Sequence, residues 1–231
     1  MTHPCRVVLE GNIGAGKSSL GRLLQNLDPL TFKFYPEPTE HWHLEGGRDI
    51  LKDFYQRTPG AGFLAQTLIS HTVLVRDLQL NPAPVPVGLY ERSLSSAKMC
   101  FIPAMLDEGL ITQTEAEVLN LGYAFNTSHW SQLTPDRIVY VRCEPDQCMN
   151  RLATRGGVEQ GRVSQFYVKR LHELHDNWLL GRHDVITLNT TAVDKTGLRH
   201  LAHLLTQQLP PCESPTNLSS SSSHQISPLD G

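Results

Sequence analysis

Residues 9–24 read LEGNIGAGKSSLGRLL. The apolar run CRVVLEG, from Cys5, enters a turn holding Gly11, Gly14 and Gly16, and an amphipathic pattern leaves it. From Gly11 to Ser18 the spacing is G-x-x-x-x-G-K-[ST], the form of a phosphate-binding loop between a strand and a helix. Glycines let successive backbone N–H groups turn inward as an anion nest, and the helix adds the positive end of its dipole. Lys17 is placed to reach the β- and γ-phosphates of a nucleoside triphosphate, and the Ser18 hydroxyl to hold Mg²⁺. The continuous segment Gly11, Asn12, Ile13, Gly14, Ala15, Gly16, Lys17, Ser18 and Ser19 is therefore the expected cofactor-binding loop. Many unrelated activities use such a loop, so it decides the fold before it decides the chemistry.

Outward from the loop, apolar runs alternate with helical patterns, which predicts an α/β fold with a five-stranded parallel sheet and helices on both faces. Strands are expected near 5–10, 32–35, 86–90, 137–142 and 184–188. Helices are expected over 17–27, 47–56, 61–79, 93–107, 112–130, 145–154, 163–179 and 194–208. Ligands of such a fold bind beyond the carboxyl ends of the strands. One domain, 1–209, accounts for this pattern. After it, CESPTNLSSSSSHQISPLDG has too little apolar content to offset its ordering entropy, so 210–231 reads as a disordered Ser/Pro-rich tail.

The 231 residues carry a net charge of −3, which gives no electrostatic footprint for a nucleic-acid polymer. No apolar run approaches the roughly 18 residues that cross a membrane. The first strand begins within about five residues of Met1, so a cytoplasmic location, with the nucleus as the other option, is expected. Five scattered cysteines form no CxxC pair, which points to neither a disulfide framework nor a zinc site. HELH at 172–175 is not HExxH, and at that spacing it reads as a solvated helix face.

The other strand ends carry candidate chemistry. FYPEPTEHW places Glu37 before Pro38, where a carboxylate can accept a proton from an attacking hydroxyl. LYERSLSSA places Glu91 and Arg92 beside the phosphate loop, Glu91 for the Mg²⁺ shell and Arg92 for charge on a transferred phosphate. RLATRGGVEQGR (151–162) has the glycines and arginines of a lid, expected over about 151–163. Together these are the parts of a phosphoryl transferase, and the guanine-reading NKxD of a GTPase is absent.

In order and spacing, GNIGAGKSS, EPTEHW, ERSLSSAKMCF and the lid followed by LHELHDNWL resemble the deoxynucleoside kinase family, whose members include thymidine-, deoxycytidine- and multisubstrate-type enzymes. The resemblance covers about residues 5–208. It implies ATP-dependent transfer to the 5′-hydroxyl of a deoxynucleoside, with Glu37 as general base, Arg92 and Lys17 as catalytic cations, and Ser18 and Glu91 at Mg²⁺. It further implies that Trp42 and Phe101 flank the base, that Gln66 hydrogen-bonds the base edge, and that Tyr55 and Glu159 hold the sugar 3′-hydroxyl. Arg151 and Arg155, and more weakly Arg162, correspond to lid arginines. Where deoxycytidine-type members carry an arginine and an aspartate against the base, this chain has Val73 and Ala97. An apolar pair leaves room for the thymine methyl group, so thymidine is the expected first substrate and deoxycytidine the second. Family membership also implies a homodimer, with the apolar stretches of 93–130 as its seam.

Two other readings share the loop. A thymidylate-type nucleoside monophosphate kinase needs a cationic clamp for its acceptor's phosphate, which Glu37 would repel. A non-catalytic nucleotide-binding relative would be expected to have lost Lys17 or the base, and Lys17, Ser18, Glu37, Glu91 and Arg92 are all present.

Overall fold

A computed structural model describes residues 4–79, 85–155 and 162–208. The expected tail at 210–231 and Glu159 of the lid lie outside them. The five strands are β1 (Cys5–Glu10), β2 (Phe32–Tyr35), β3 (Val87–Glu91), β4 (Arg137–Arg142) and β5 (Val185–Asn189). They form one sheet in the order β2-β3-β1-β4-β5, and every pairing is parallel. All six residues of β1 are buried, as a central strand covered on both faces requires. Because the sheet is parallel, the carboxyl ends of all five strands lie along one edge. The connections diverge to either side of β1, which opens a crevice there.

The helices are α1 (Lys17–Leu27), α2 (Ile50–Tyr55), α3 (Ala61–Gln79), α4 (Leu94–Ser96), α5 (Ile102–Asp107), α6 (Gln113–His129), α7 (Pro145–Arg155), α8 (Gln165–Leu179) and α9 (Lys195–Gln208). α1 packs against β2 so closely that a Cβ on Gly21 would fall 2.3 Å from the Phe34 ring. Leu20 and Leu24 complete that contact from the same helix face, both fully buried.

Three details depart from the sequence-based expectations. The helix expected over 47–56 is shorter, because the Asp49 carboxylate accepts the Lys52 N–H and caps it there. The helix expected over 93–107 is interrupted by a π-turn at Ala97–Phe101. Pro103 has no N–H to offer the Met99 carbonyl, and the ladder slips so that Ile102 N–H reaches back five residues to Ala97. The HELH segment is divided rather than wholly solvated: Glu173 is exposed, whereas His172 and His175 turn inward. His175 is 0% exposed, with Nδ1 2.6 Å from the Leu171 carbonyl oxygen. Its ring stacks near Tyr140 and meets Phe101 edge-on.

Candidate active site

Between β1 and α1 the chain makes the turn its glycines foretell. Gly11 has φ +142°, and a Cβ there would lie 2.4 Å from the Val141 carbonyl oxygen of the neighbouring strand. Gly16 caps α1 in the left-handed region at φ +103°. Lys17 Nζ lies inside the turn, donating to the carbonyls of Gly11 at 3.1 Å and Asn12 at 2.9 Å. Burial, reinforced by the nearby Arg92 charge, lowers its pKa to about 8.

The loop is anchored from behind. Asn12 Nδ2 donates to the Val168 carbonyl on α8 at 2.8 Å. The Ala15 carbonyl accepts from Thr190 Oγ1 and from Arg151 Nη1, each at 3.0 Å. Arg151 also donates to the Thr190 carbonyl at 2.6 Å. Its guanidinium therefore acts as a strut between the loop and the chain beyond β5, while its side chain still borders the phosphate cavity.

That cavity encloses about 1410 Å³, counting its open mouth, and is lined by Ile13, Gly14, Gly16, Lys17, Ser18, Ser19, Glu37, Glu91, Arg92, Arg151 and Arg155. Arg162 is not on its wall; it borders a small separate pocket with Glu108 and Tyr167. Ser18 Oγ donates to Glu91 Oε1 at 2.7 Å, so the two residues expected at Mg²⁺ touch. An all-oxygen pair of hydroxyl and single carboxylate suits Mg²⁺, which takes its remaining ligands from phosphate and water.

A second cavity, about 610 Å³ with its mouth, opens beside the first. Its walls include Trp42, Tyr55, Gln66, Val73, Ala97 and Phe101. Trp42 is fixed by its indole N–H, which donates to Thr72 Oγ1 at 3.0 Å. Gln66 does face the cavity, and its amide bonds Ser70 Oγ one turn on, at 3.0 Å. The π-turn carries both Ala97 and Phe101.

Ile13, Glu37 and Arg92 line both cavities. Arg92 Nε lies 2.9 Å from Glu37 Oε1, and Nη1 donates to the Gly11 carbonyl at 3.1 Å. Its guanidinium sits 4.6 Å over the Phe101 ring. Desolvation raises the Glu37 pKa above the ordinary carboxylate value and outweighs the opposing pull of Arg92. Burial works against the Arg92 charge, yet Glu37, Glu10 and Glu91 hold its pKa above the usual guanidinium value.

Sequence reasoning missed a supporting layer. Glu10 is fully buried at the end of β1, and its carboxylate accepts Ser93 Oγ at 2.7 Å and Ser96 Oγ at 2.6 Å. An acidic residue closing the strand directly before the glycine turn was the available signal. Arg92 also adopts φ +61°, a strained conformation for a non-glycine residue that no local pattern announces.

The deoxynucleoside kinase family model matches residues 7–202. The chain belongs to the deoxynucleoside kinase family. It is 29% identical over 195 residues to deoxycytidine kinase 2 of Gallus gallus, covering 75% of this chain and 73% of the relative. It is 26% identical over 198 residues to Rattus norvegicus deoxycytidine kinase, covering 77% and 76%. It is 28% identical over 174 residues to mitochondrial thymidine kinase 2 of Homo sapiens, covering 75% and 64%. Deoxynucleoside kinases are transferases of deoxynucleoside salvage that use ATP with Mg²⁺. Among the described residues, no helix is long and apolar enough to cross a membrane.

Proposed function

We propose that this deoxynucleoside kinase phosphorylates the 5′-hydroxyl of pyrimidine deoxynucleosides, thymidine first and deoxycytidine second. The observation that carries the reading is the Glu37–Arg92 pair at the junction of the two cavities, 2.9 Å apart. A hydroxyl entering from the base-binding side meets the carboxylate there, at the edge of the phosphate site. ATP bound with Mg²⁺ supplies the γ-phosphoryl group. Glu37 accepts the hydroxyl proton, and Lys17 and Arg92 stabilise the negative charge spread over the transferring group. Ser18 and Glu91 hold Mg²⁺, and Arg155 grips phosphate from the lid. Trp42 and Phe101 flank the base, Gln66 pairs with its edge, and Tyr55 with Glu159 orients the sugar. The products are the deoxynucleoside 5′-monophosphate and ADP.

Preference for thymidine is supported by Val73 and Ala97, both buried on the wall of the base-binding cavity. Among the described residues on that wall, Arg92 is the only cation, and it is paired with Glu37. This argues against a monophosphate acceptor, whose extra charge would need a cation of its own. Phosphate transfer from ATP to thymidine, deoxycytidine, deoxyadenosine, deoxyguanosine and thymidine monophosphate tests the reading. The highest kcat/KM should belong to thymidine; a purine preference, or transfer to the monophosphate alone, would overturn it.

The enzyme is proposed to act as a homodimer outside the membrane and without a nucleic-acid polymer, in the cytoplasm or nucleus. Val118, Leu121 and Phe125 follow one another at i, i+3 and i+7 on α6, and Leu121 and Phe125 are 71% and 58% exposed. α6 packs against α3, which exposes Leu64 and Val75. Exposed apolar residues on two neighbouring helices are the kind of surface that a second copy can cover across a two-fold axis. Light scattering should give twice the chain mass, and Leu121→Glu should halve it; a monomeric wild-type chain would remove the dimer.

A further inference from the structure

We infer that Arg76 is a positioning residue for catalysis: a single buried guanidinium that holds the two strand ends bearing Glu37 and Arg92 in register. The inference rests on the site reading above. The ladder between β2 and β3 ends at the pair Tyr35 and Tyr90. The carbonyls just beyond it belong to Pro36, Glu91 and Arg92. All three point at Arg76. Nη1 donates to the Glu91 carbonyl at 2.7 Å and to the Pro36 carbonyl at 3.1 Å, and Nη2 donates to the Arg92 carbonyl at 3.0 Å. Past the point where backbone pairing stops, one side chain continues it.

Each contact sits next to a functional group. Pro36 precedes Glu37 directly. The Arg92 carbonyl belongs to the residue whose backbone is held at φ +61°, a conformation that persists only if its surroundings enforce it. Its N–H is bound to the Leu9 carbonyl at 3.0 Å, so Arg92 is gripped on both sides, by β1 and by Arg76. The guanidinium is itself immobilised. Its side chain is 8% exposed, and Nε donates at 2.8 Å to Asp77, whose other oxygen accepts from Arg6 at 2.5 Å. Arg6 in turn lies 4.0 Å over the Tyr90 ring of β3. A planar fork with several fixed donors can serve three carbonyls of two strands at once, whereas a lysine ammonium is a point donor on a flexible stem.

The helix that carries Arg76 also carries Gln66 and Val73 of the base-binding wall. One rigid element thus sets both where the base lies and where the proton acceptor and its cation stand. Displacing reacting groups by about 1 Å can cost on the order of 10²-fold in rate without removing any of them.

The test uses Arg76→Lys and Arg76→Met in the full chain, alone and combined with Glu37→Gln, with thymidine and ATP varied separately. We expect kcat to fall about tenfold for lysine and up to about 10²-fold for methionine. KM for ATP should change less than kcat, since Arg76 makes no bond to the phosphate loop itself and reaches it only through Glu91 and Arg92. In the Glu37→Gln background Arg76→Lys should cost less than in the wild-type enzyme, because one of the two groups it positions is already disabled. Unchanged kcat in both variants would overturn the inference while leaving the site reading intact. Losses that multiply independently with Glu37→Gln would do the same. Failure of both variants to fold would make Arg76 a requirement of the fold rather than of the strand ends. No transfer to any deoxynucleoside by the wild-type enzyme would remove the site reading itself, and this inference with it.

Discussion

The phosphate cavity takes Gly14, Gly16, Lys17, Ser18 and Ser19 from one continuous turn, whereas the cavity proposed to bind the base draws Trp42, Gln66, Val73, Ala97 and Phe101 from three separate elements. The first is built largely from backbone and is specified by φ angles that only glycine accepts freely. The second is built from side chains whose meeting depends on the whole sheet order. Chemistry common to a large class of proteins sits in the local motif. The base preference proposed above rests on the dispersed one, and the two meet at Glu37 and Arg92.

The sharpest way to break that division is to disable the junction. Glu37→Gln keeps the shape of the side chain and a hydrogen-bonding partner for Arg92 but cannot accept the proton. We expect kcat to drop by about 10²–10⁴-fold, with KM for both substrates nearly unchanged. In its proposed role as base Glu37 works only when ionised, and burial raises its pKa above the ordinary value of 4.5. The acidic limb of the wild-type kcat profile should therefore lie above pH 4.5 and vanish in the variant. Near-normal turnover by Glu37→Gln would remove Glu37 from the base role and leave the two cavities without a shared catalytic group.

A smaller effect is expected within the base-binding cavity alone. Val73→Arg combined with Ala97→Asp places an opposite-charge pair where an apolar pair now stands. The thymidine-to-deoxycytidine ratio of kcat/KM should fall by about 10–200-fold, the range that pocket contacts of this size command. Apparent affinity for ATP should not move, because neither residue borders the phosphate cavity. A change in ATP affinity matching the change in base preference would show that the two cavities are not separable.

What could be read from the sequence follows the same division. The phosphate loop, the five strands and the strand-end residues Glu37, Glu91 and Arg92 were legible because each depends on a few neighbouring residues. The pairing of Glu37 with Arg92 was not, since it joins β2 to β3 across a fold that must first exist. Arg151 shows the limit from the other side. Its position in the lid sequence suggested phosphate gripping, and it does border the phosphate cavity, but no local pattern announced that it also donates to Ala15 and to Thr190, the latter 39 residues away. The π-turn hides in an apolar pattern that a regular helix would satisfy equally well, and only Pro103 hinted at it. HELH misled for a related reason. Polar letters at helical spacing suggest solvent, but the face they lie on is decided by what packs against α8.

That histidine supplies the last and smallest expected effect, in stability rather than turnover. His175 lies beneath Phe101, on the base-binding side, and burial lowers its pKa to about 3 from an ordinary value near 6.5. The fold therefore holds the neutral imidazole. Above pH 6.5 the folded and unfolded states are both neutral and the group contributes no pH dependence. As pH falls below 6.5, the unfolded chain takes up a proton that the folded chain refuses until about pH 3. Stability drops over that window by up to about 1.4 kcal/mol per pH unit, or roughly 2 kcal/mol by pH 5. Glu10 and Glu37, whose pKa values are raised, act with the opposite sign as acid is added, so the raw wild-type curve understates the term. Comparison with His175→Asn isolates it, because the amide can still donate to the Leu171 carbonyl but does not titrate. Urea unfolding at pH 7 and pH 5 should show the wild-type chain losing about 2 kcal/mol more than the variant. Parallel losses in the two chains would mean that the imidazole is protonated in the folded state, and that the floor under Phe101 is wetter than its burial indicates.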